Sequence, residues 1–553
     1  MIRARGNGVA TALVIGAAVL ALAFLGVFFA WPVANMVLRG FVHDGALDLG
    51  GFAEVFASSR TWRIIGYTLL NGVLGTGLAV LLGIPGAYVL YRCTFPGQRL
   101  VRGFVAVPFV LPTVVVGVAF RSLLVESGPL GFLGLDGTYP AIVLALVFFN
   151  YSVIVRSVGG MWARLDPRQQ EAAAALGASP ARIFRTVTLP QLTPAIASSA
   201  SVVFLFCATA YGVVLVLGGT RYGTIETEIW LQTTQFLDLR AAAVLSVMQL
   251  VVVAAALWLA GRARRSWERS LQLRGRVARP LNLKRDAVPV AVTVVVVLGL
   301  LAAPLLSLLI RSFRTPSGWG IGNYLNLGTT GGRNALNVTV WEALANSLKV
   351  AAGATLLAVL LGTIVAVVLS TRPRNPHARR AVGLFDAVFM LPLGVSAVTV
   401  GFGFLITLNR PPFDLRTSMI LIPIAQAIVA LPLVVRTVLP VLRAIDPRQR
   451  EAAAMLGAGP IRAWAAVDGP PLVRSLGMAV GFAFAISLGE FGATSFLARP
   501  DSPTLPVVIY RLIGRPGAEN FGMALAACVV LAVLTAVVML AAETLRASDE
   551  GEW

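Results

Sequence analysis

The sequence predicts an all-α integral membrane protein of about twelve transmembrane helices, arranged as two parallel six-helix repeats. Three observations lead there. The 553 residues are 57% hydrophobic and only 13% charged, with a mean hydropathy of +0.82, a composition of polytopic membrane chains. The apolar residues fall in runs long enough to cross a bilayer. And DPRQQEAAAALGASP at Asp166–Pro180 returns 280 residues later as DPRQREAAAMLGAGP at Asp446–Pro460, identical at 12 of 15 positions. Self-similarity at one long period marks an internally repeated architecture.

Composition also excludes several functions. A net charge of +20 would point to nucleic acid in a soluble protein. Here the arginines sit in short loops between apolar runs, as the positive-inside rule requires, so no nucleic-acid partner is expected. Lysine occurs only at 284 and 349. Cys93, Cys207 and Cys528 lie in or beside apolar spans and form no disulfide framework. His43 and His377 are far apart and make no metal site. The chain has no G-x-x-x-x-G-K-[ST] stretch and so no phosphate-binding loop of its own.

Taken in order, a short basic start (Arg3, Arg5) precedes Val9–Ala30, about 22 apolar residues that span at 1.5 Å each. The run is too long for a signal-peptide core and reads as a retained first helix. Residues 31–62 read as an outside loop carrying His43, Asp44, Asp48 and Glu54. Spans follow at Ile64–Leu90, Phe104–Leu124, Ala141–Gly160, Ile196–Leu217 and Ala241–Ala260, with Gly218–Leu239 outside. Phe104–Leu124 contains Pro108 and Pro112, which a membrane tolerates where neighbours satisfy the freed carbonyls. The stretch 261–286 is the most basic, with Arg262, Arg264, Arg265, Arg269, Arg274, Arg276, Arg279, Lys284 and Arg285 against Glu268 and Asp286. It reads as a cytoplasmic linker.

The second half repeats the plan, with spans near 287–310, 343–370, 381–407, 418–440, 475–497 and 521–546. LAVLLG occurs at Leu78–Gly83 and again at Leu357–Gly362, and Arg156 and Arg436 keep the 280-residue offset. Arg372, Arg374, Arg379 and Arg380 answer Arg92, Arg99 and Arg102. The domain division expected is 1–260, a linker at 261–286, 287–546 and a tail at 547–553. Six spans per half is even, so both halves enter from one side and are related by an axis along the membrane normal. The basic loops and both copies of the repeat then share the cytoplasmic face.

The repeat itself reads as a helix–turn–helix outside the membrane, at 161–194 and 441–473. Asp166 and Asp446 suit N-caps, and Pro167 and Pro447 the first helical position. Glu171–Leu176 and Glu451–Leu456 are strong helix formers. Gly177 and Gly457 supply a left-handed residue to end the helix. Pro180 and Pro460 open a second short helix carrying Arg182 or Arg462, which Pro190 and Pro470 are expected to close.

Glu-Ala-Ala, five residues on to Gly, then Leu189–Pro190 resembles the "EAA" cytoplasmic loop of ABC-importer permeases; the second copy departs, with Gly469–Pro470. The two fused halves, the LGG…TIETEIW…DLRAAAVLSVMQL stretch and SLGEFGAT at Ser487–Thr494 look most like the thiamine and iron(III) binding-protein-dependent permeases. Spermidine- and sulfate-type permeases share much of the pattern.

The resemblance implies a type I importer fold in the bacterial cytoplasmic (inner) membrane and a transport subunit rather than an enzyme. It implies an extracytoplasmic solute-binding protein and an ATPase homodimer that carries the ATP and Mg, with no cofactor on this chain. Glu171, Ala172, Ala173, Gly177 and Arg182, with Glu451, Ala452, Ala453, Gly457 and Arg462, would couple to the ATPase. The glutamates would accept hydrogen bonds from the ATPase or from their own loop. The alanines keep the helix slim, and the glycines set the turn.

Asn150, Tyr151, Tyr211 and Glu490 are the candidate pathway residues. Glu490 lies in a predicted span, where a carboxylate faces a cavity or a partner; gate and helix-packing roles both stand. Its first-half counterpart, CATAYG at Cys207–Gly212, lacks the acid. For Asn150 and Tyr151 interhelical bonding is the alternative. Gly218–Leu239 would brace the binding protein or form a re-entrant or interfacial helix anchored by Trp230. The competing class is a secondary transporter with two six-span halves. It calls for coupling charges in several spans and for no paired cytoplasmic hairpins.

Overall fold

The computed structural model describes residues 5–43, 45–267, 279–371, 375–410, 413–415 and 418–547. Arg3, Asp44, Glu268, Arg269, Arg274, Arg276, Arg372, Arg374 and the tail at 548–553 lie outside the described residues. In chain order the main helices of the first half are α1 (Val14–Phe41), α2 (Ser59–Arg92), α3 (Gln98–Val110), α4 (Thr113–Leu124) and α5 (Tyr139–Trp162). They continue with α6 (Arg168–Ala175), α7 (Pro180–Ala208), α8 (Ile225–Thr234) and α9 (Leu239–Trp267). The second half has α10 (Ala287–Ser312), α11 (Val340–Ser370), α12 (Pro376–Met390), α13 (Ala397–Thr407) and α14 (Leu421–Ala444). It ends with α15 (Pro447–Met455), α16 (Pro460–Val467), α17 (Gly469–Gly489), α18 (Thr494–Leu497), α19 (Leu505–Gly514) and α20 (Ala518–Ala547).

Among the described residues ten helices are long and apolar enough to cross a membrane, and twelve spans result if each of two bent pairs counts as one. The bent pairs correct two expected straight spans. α3 and α4 meet at 106°, and the helical stretch Pro376–Gly394 meets α13 at 95°. The first break falls at Leu111–Pro112 and the second at Val395–Ser396, both extended, just past the 3-10 turn Leu391–Gly394 that holds Pro392. Leu111 is extended (φ −67°, ψ 141°), the conformation a following proline imposes.

Other prolines do not break their helices. Three π-turns, Gly26–Ala30, Phe184–Thr188 and Val296–Ala302, each end two residues before a proline: Pro32, Pro190 and Pro304. Proline lacks an N–H and its ring clashes with the carbonyl one turn back; a locally wider turn absorbs both. This overturns two expectations. α1 runs on through Pro32 to Phe41, so much of the supposed outside loop is helix. Pro190 likewise does not close a short helix, because α7 continues into the membrane. At Pro470 the chain makes only a one-residue turn at Asp468, itself right-handed helical (φ −88°, ψ −28°).

The packing does not follow the sequence halves. One compact unit comprises Phe52–Glu228 and Leu245–Ile321; the other comprises Met1–Gly51, Ile229–Val244 and Gly322–Trp553. In the latter, Ala21, Leu25 and Phe29 of α1 join a core with Ala358, Leu361 and Val365 of α11 and Leu431 of α14. The Phe28 ring lies 6.5 Å from Phe404 of α13. In the former, α10 packs on α4: Ser307 and Ser122 hydroxyls are 3.1 Å apart, and Arg311 donates to the Ser122 carbonyl at 2.7 Å. The opening helix of each half thus belongs to the unit built mainly from the other. α5 and α14 are the central helices, each 72% buried over its apolar window, against 17% for α1.

The end of the linker is anchored rather than loose. Cys93–Thr94 pairs in parallel with Arg279–Pro280. Asp286 accepts from the Tyr88 hydroxyl at 2.8 Å, from Arg279 at 2.6 Å and from the Asn282 N–H at 3.1 Å. Burial pushes the Asp286 carboxyl up, but these donors outweigh it and hold it below the ordinary value.

Candidate coupling hairpins and pathway residues

The two hairpins are built alike. Asp166 Oδ1 accepts from the Arg168 N–H at 3.0 Å, and Asp446 Oδ1 from the Arg448 N–H at 2.9 Å. At the other end the Gly177 N–H bonds the Ala174 carbonyl (2.9 Å) and the Ala178 N–H the Ala173 carbonyl (3.1 Å). Gly457 and Ala458 repeat this on Ala454 and Ala453 at 3.0 and 3.1 Å. This double bond needs a left-handed residue, and Gly177 and Gly457 have φ of +80° and +85°. Glu171, Ala172, Arg182, Glu451, Ala452 and Arg462 are exposed, while Ala173 and Ala453 are half-buried. Among the described residues neither glutamate side chain accepts a hydrogen bond from its own loop. Leu176, Met455 and Leu456 stand 89% exposed beside them.

The hairpins differ in what ties them down. In the second copy Arg450 of α15 grips Asp468 with both arms, Nε to Oδ2 at 2.8 Å and Nη2 to Oδ1. Asp468 is completely buried. In the first copy the same positions are Gln170 and Thr188, and Gln191 donates to Gln169 instead. The start of the second short helix differs too: the Ser179 hydroxyl caps the Arg182 N–H at 3.4 Å, where Gly459 has no side chain to offer.

Glu490 does not sit within a continuous helix. α17 ends at Gly489, and Glu490 is extended (φ −68°, ψ 124°) at the break before α18. Its Oε1 accepts from the Ala493 N–H at 2.7 Å; its Oε2 accepts from the Thr494 N–H (3.1 Å) and hydroxyl (2.6 Å). Gln426 of α14 donates to the Thr494 hydroxyl at 3.1 Å. The carboxylate therefore satisfies backbone groups that the break exposes, which a membrane otherwise leaves unpaired. In the first copy α7 breaks at Ala208 without an acid, and Gln249 of α9 reaches the Ala208 carbonyl at 3.4 Å.

Asn150 and Tyr151 are taken up in helix packing. The Asn150 amide donates to the Leu146 carbonyl (2.9 Å) and Cys207 Sγ (3.4 Å), joining α5 to α7. Tyr151 is fully buried, its ring packed so closely on α2 that a Cβ at Gly86 would collide with its hydroxyl. Tyr211, 6% exposed, lies at the α7 break. Arg156 and Arg436 are both exposed.

With this geometry in view, residues 75–265 match the family described as "Binding-protein-dependent transport system inner membrane component". The chain is 32% identical over 241 residues to "Molybdenum transport system permease protein ModB" of Mycobacterium bovis, covering 86% of that protein and 41% of this one. The chain belongs to the binding-protein-dependent transport permeases. Its likeness to "Thiamine transport system permease protein ThiP" of Brucella abortus (strain 2308) is 26% over 518 residues, 90% of each chain. With the Escherichia coli (strain K12) protein of that name it is 26% over 476 residues, covering 84% and 85%. Among solved structures, a bacterial alginate ABC transporter in complex with an alginate pentasaccharide-bound periplasmic protein superposes with a TM-score of 0.40 at 18% identity, over 48% of this chain and 99% of that one.

This permease is thus a multi-pass inner-membrane transport component and not an enzyme. Two features of it escaped sequence reasoning. The Arg450–Asp468 clamp was visible only as paired departures between the copies, Gln170 to Arg450 and Thr188 to Asp468, at one offset. The second is α8, within the stretch expected outside. There Glu226 and Glu228 are 0% and 3% exposed. Arg60 of α2 pairs with Glu228 at 2.9 Å, and Thr68 receives the Ile225 N–H at 3.0 Å. Two acids in a short apolar helix, two residues apart, were the available signal. Farther along, the Trp230 ring meets Tyr510 of α19 edge-on at 5.9 Å, and Tyr510 lies 5.5 Å from Phe491 beside Glu490.

Proposed function

We propose that this permease carries thiamine inward, receiving it from an extracytoplasmic binding protein, and that a separate ATPase dimer drives it through the two hairpins. One observation carries the substrate reading: the likeness to thiamine permeases runs through both fused halves and covers 90% of each chain. The molybdenum permease matches at higher identity but over less than half of this chain. Iron(III) is the weaker alternative, resting on motif resemblance alone.

The geometry supplies a route for force. α7 runs unbroken from Pro180, in the hairpin, to Ala208 at the break in the membrane. That is 29 residues, or about 43 Å of rod. A push on the exposed Glu171–Leu176 face is delivered to the Thr209–Tyr211 break. In the second copy α16 and α17 form the same lever, the clamp holds α15 to it, and Glu490 fixes its far end. On this reading Glu171 and Glu451, whose carboxylates accept no hydrogen bond among the described residues, receive donors from the ATPase; the ATP and Mg remain on that partner.

Proteoliposomes holding the permease with its binding protein and ATPase test this. ATP-dependent uptake of labelled thiamine, resistant to excess molybdate and iron(III), is expected. Uptake of molybdate or iron(III) with none of thiamine would overturn the substrate reading. Uptake of any solute without ATPase would overturn the coupling reading.

A further inference from the structure

We propose that a cavity at the cytoplasmic ends of α11, α12 and α14 binds a phosphoethanolamine group. The cavity has a volume of about 480 Å³ and is lined by Ser370, Thr371, Arg379, Asp386 and Arg443 among others. That is within the range of small-ligand sites, roughly 300–1,000 Å³.

The donor and acceptor inventory selects the ligand. Arg379 and Arg443 bring guanidinium N–H groups to the lining. Arg443 donates to the Leu369 carbonyl at 3.4 Å and makes a further contact besides, so it adds charge to the lining more than open donors. The Arg379 guanidinium has no hydrogen bond or ion pair among the described residues. These donors suit a phosphate, which guanidinium binds through paired N–H groups. The remaining polar groups are acceptors. The Ser370 and Thr371 hydroxyl protons are already given to the Val367 and Val368 carbonyls at 2.7 and 2.6 Å. Asp386 adds a carboxylate that pairs with nothing among the described residues. Acceptors beside guanidiniums call for a ligand carrying N–H donors as well as a phosphate. Arg379 and Asp386 lie two turns apart on one face of α12, about 10 Å along its axis, so the two charges have separate places. A primary ammonium next to a phosphate ester meets both.

The first copy meets the corresponding carbonyl from a different helix, α3 in place of the counterpart of α14. There Arg102 donates to the Leu90 carbonyl and stacks over the Tyr91 ring, 4.5 Å from its centre. Tyr91 packs on Gly159. By the repeat, Leu369 stands for Leu90 and Ser370 for Tyr91. A serine stands in place of the ring in the lining of the second copy's cavity. Two sources carry this chemistry: a phosphatidylethanolamine headgroup from the inner leaflet, or a soluble phosphoethanolamine ester. Leu384 and Leu391, 68% and 56% exposed on the same stretch, give a lipid tail an apolar path.

The experiment uses the full permease, delipidated in detergent, and reads its thermal midpoint against added ligand. Phosphatidylethanolamine should raise the midpoint saturably, and phosphatidylcholine and phosphatidylglycerol should do so far less. If soluble O-phosphoethanolamine gives the rise and the lipid does not, the site stands with a soluble ligand. Arg379→Gln and Arg443→Gln should each weaken the apparent affinity about tenfold or more, the loss expected for a charged hydrogen bond. Ser370→Tyr should abolish the response. Arg380→Gln, exposed and outside the lining, should leave it intact. Equal responses to all three lipids, a loss in Arg380→Gln matching that in Arg379→Gln, or no response to either phosphoethanolamine source would overturn the proposal. If Ser370→Tyr does not fold, the arginine variants decide.

Discussion

Replacing Arg450 with glutamine strands the Asp468 carboxylate. Breaking a fully buried pair costs about 3–5 kcal/mol, and an exposed one about 0–1 kcal/mol. Here Asp468 is wholly buried but the Arg450 side chain is 40% exposed, so water screens one partner. The cost lands between those limits, at about 2 kcal/mol. It falls on the attachment of α15 to the α16–α17 lever, not on the membrane bundle. A 2 kcal/mol loss is about 30-fold in the local opening equilibrium. Amide hydrogen exchange across Glu451–Leu456 should accelerate by about that factor, while α14 and α17 exchange as before. ATP-driven uptake should fall with insertion unchanged. The double variant Arg450→Gln, Asp468→Thr installs the Gln170 and Thr188 pair of the first copy and removes the buried charge, so it should recover most of the protection. Unchanged exchange in the single variant, or a double variant no better than the single, would refute the clamp.

Three further outcomes follow from the geometry. Gly177→Val and Gly457→Val place a Cβ in open space but in left-handed backbone, a penalty of about 1–2 kcal/mol; each should keep expression and insertion yet lower ATPase co-purification, and full co-purification in the double variant would remove the hairpins as coupling elements. Glu490→Gln loses the charge from three accepted hydrogen bonds and should destabilise by about 1–3 kcal/mol, lowering the melting point; reduced uptake with an unchanged melting point would restore a gate role instead. Asp286, held below its ordinary value of 3.8, contributes stability that is present above that pH and lost as pH falls through its lower folded value; Asp286→Asn should therefore melt lower near neutrality and converge with the parent in acid, and parallel acid profiles would show that the carboxylate adds nothing.

Much of the molecule was legible in one dimension because its physics is local. Spanning runs follow from length and hydropathy. The hairpin caps follow from Asp166 and Asp446, and their turns from Gly177 and Gly457, since capping and left-handed backbone depend on residues within one turn. The repeat announced the paired organisation outright. Proline was read less well, because its effect is set by context. Pro112 breaks a helix, Pro392 is held in a 3-10 turn before the bend at Val395–Ser396, and Pro32, Pro190 and Pro304 are absorbed by wider turns; nothing adjacent in sequence distinguishes them.

Only the tertiary structure decided what packs on what. Lipid tails are as apolar as leucine, so an apolar helix carries almost no signal naming its partner. That is why the exchange of α1 and α10 between units was invisible, and why Asn150 turned out to tie α5 to α7. It also decided the meaning of isolated charges. Glu490 in a hydrophobic run leaves gate and helix-packing roles both open, and only the break at Gly489 shows which groups its carboxylate bonds. Likewise only the fold shows Asp468 buried and paired with Arg450, eighteen positions earlier. Local rules place a charge on a helix or in a loop, but its partner is a matter of three-dimensional proximity.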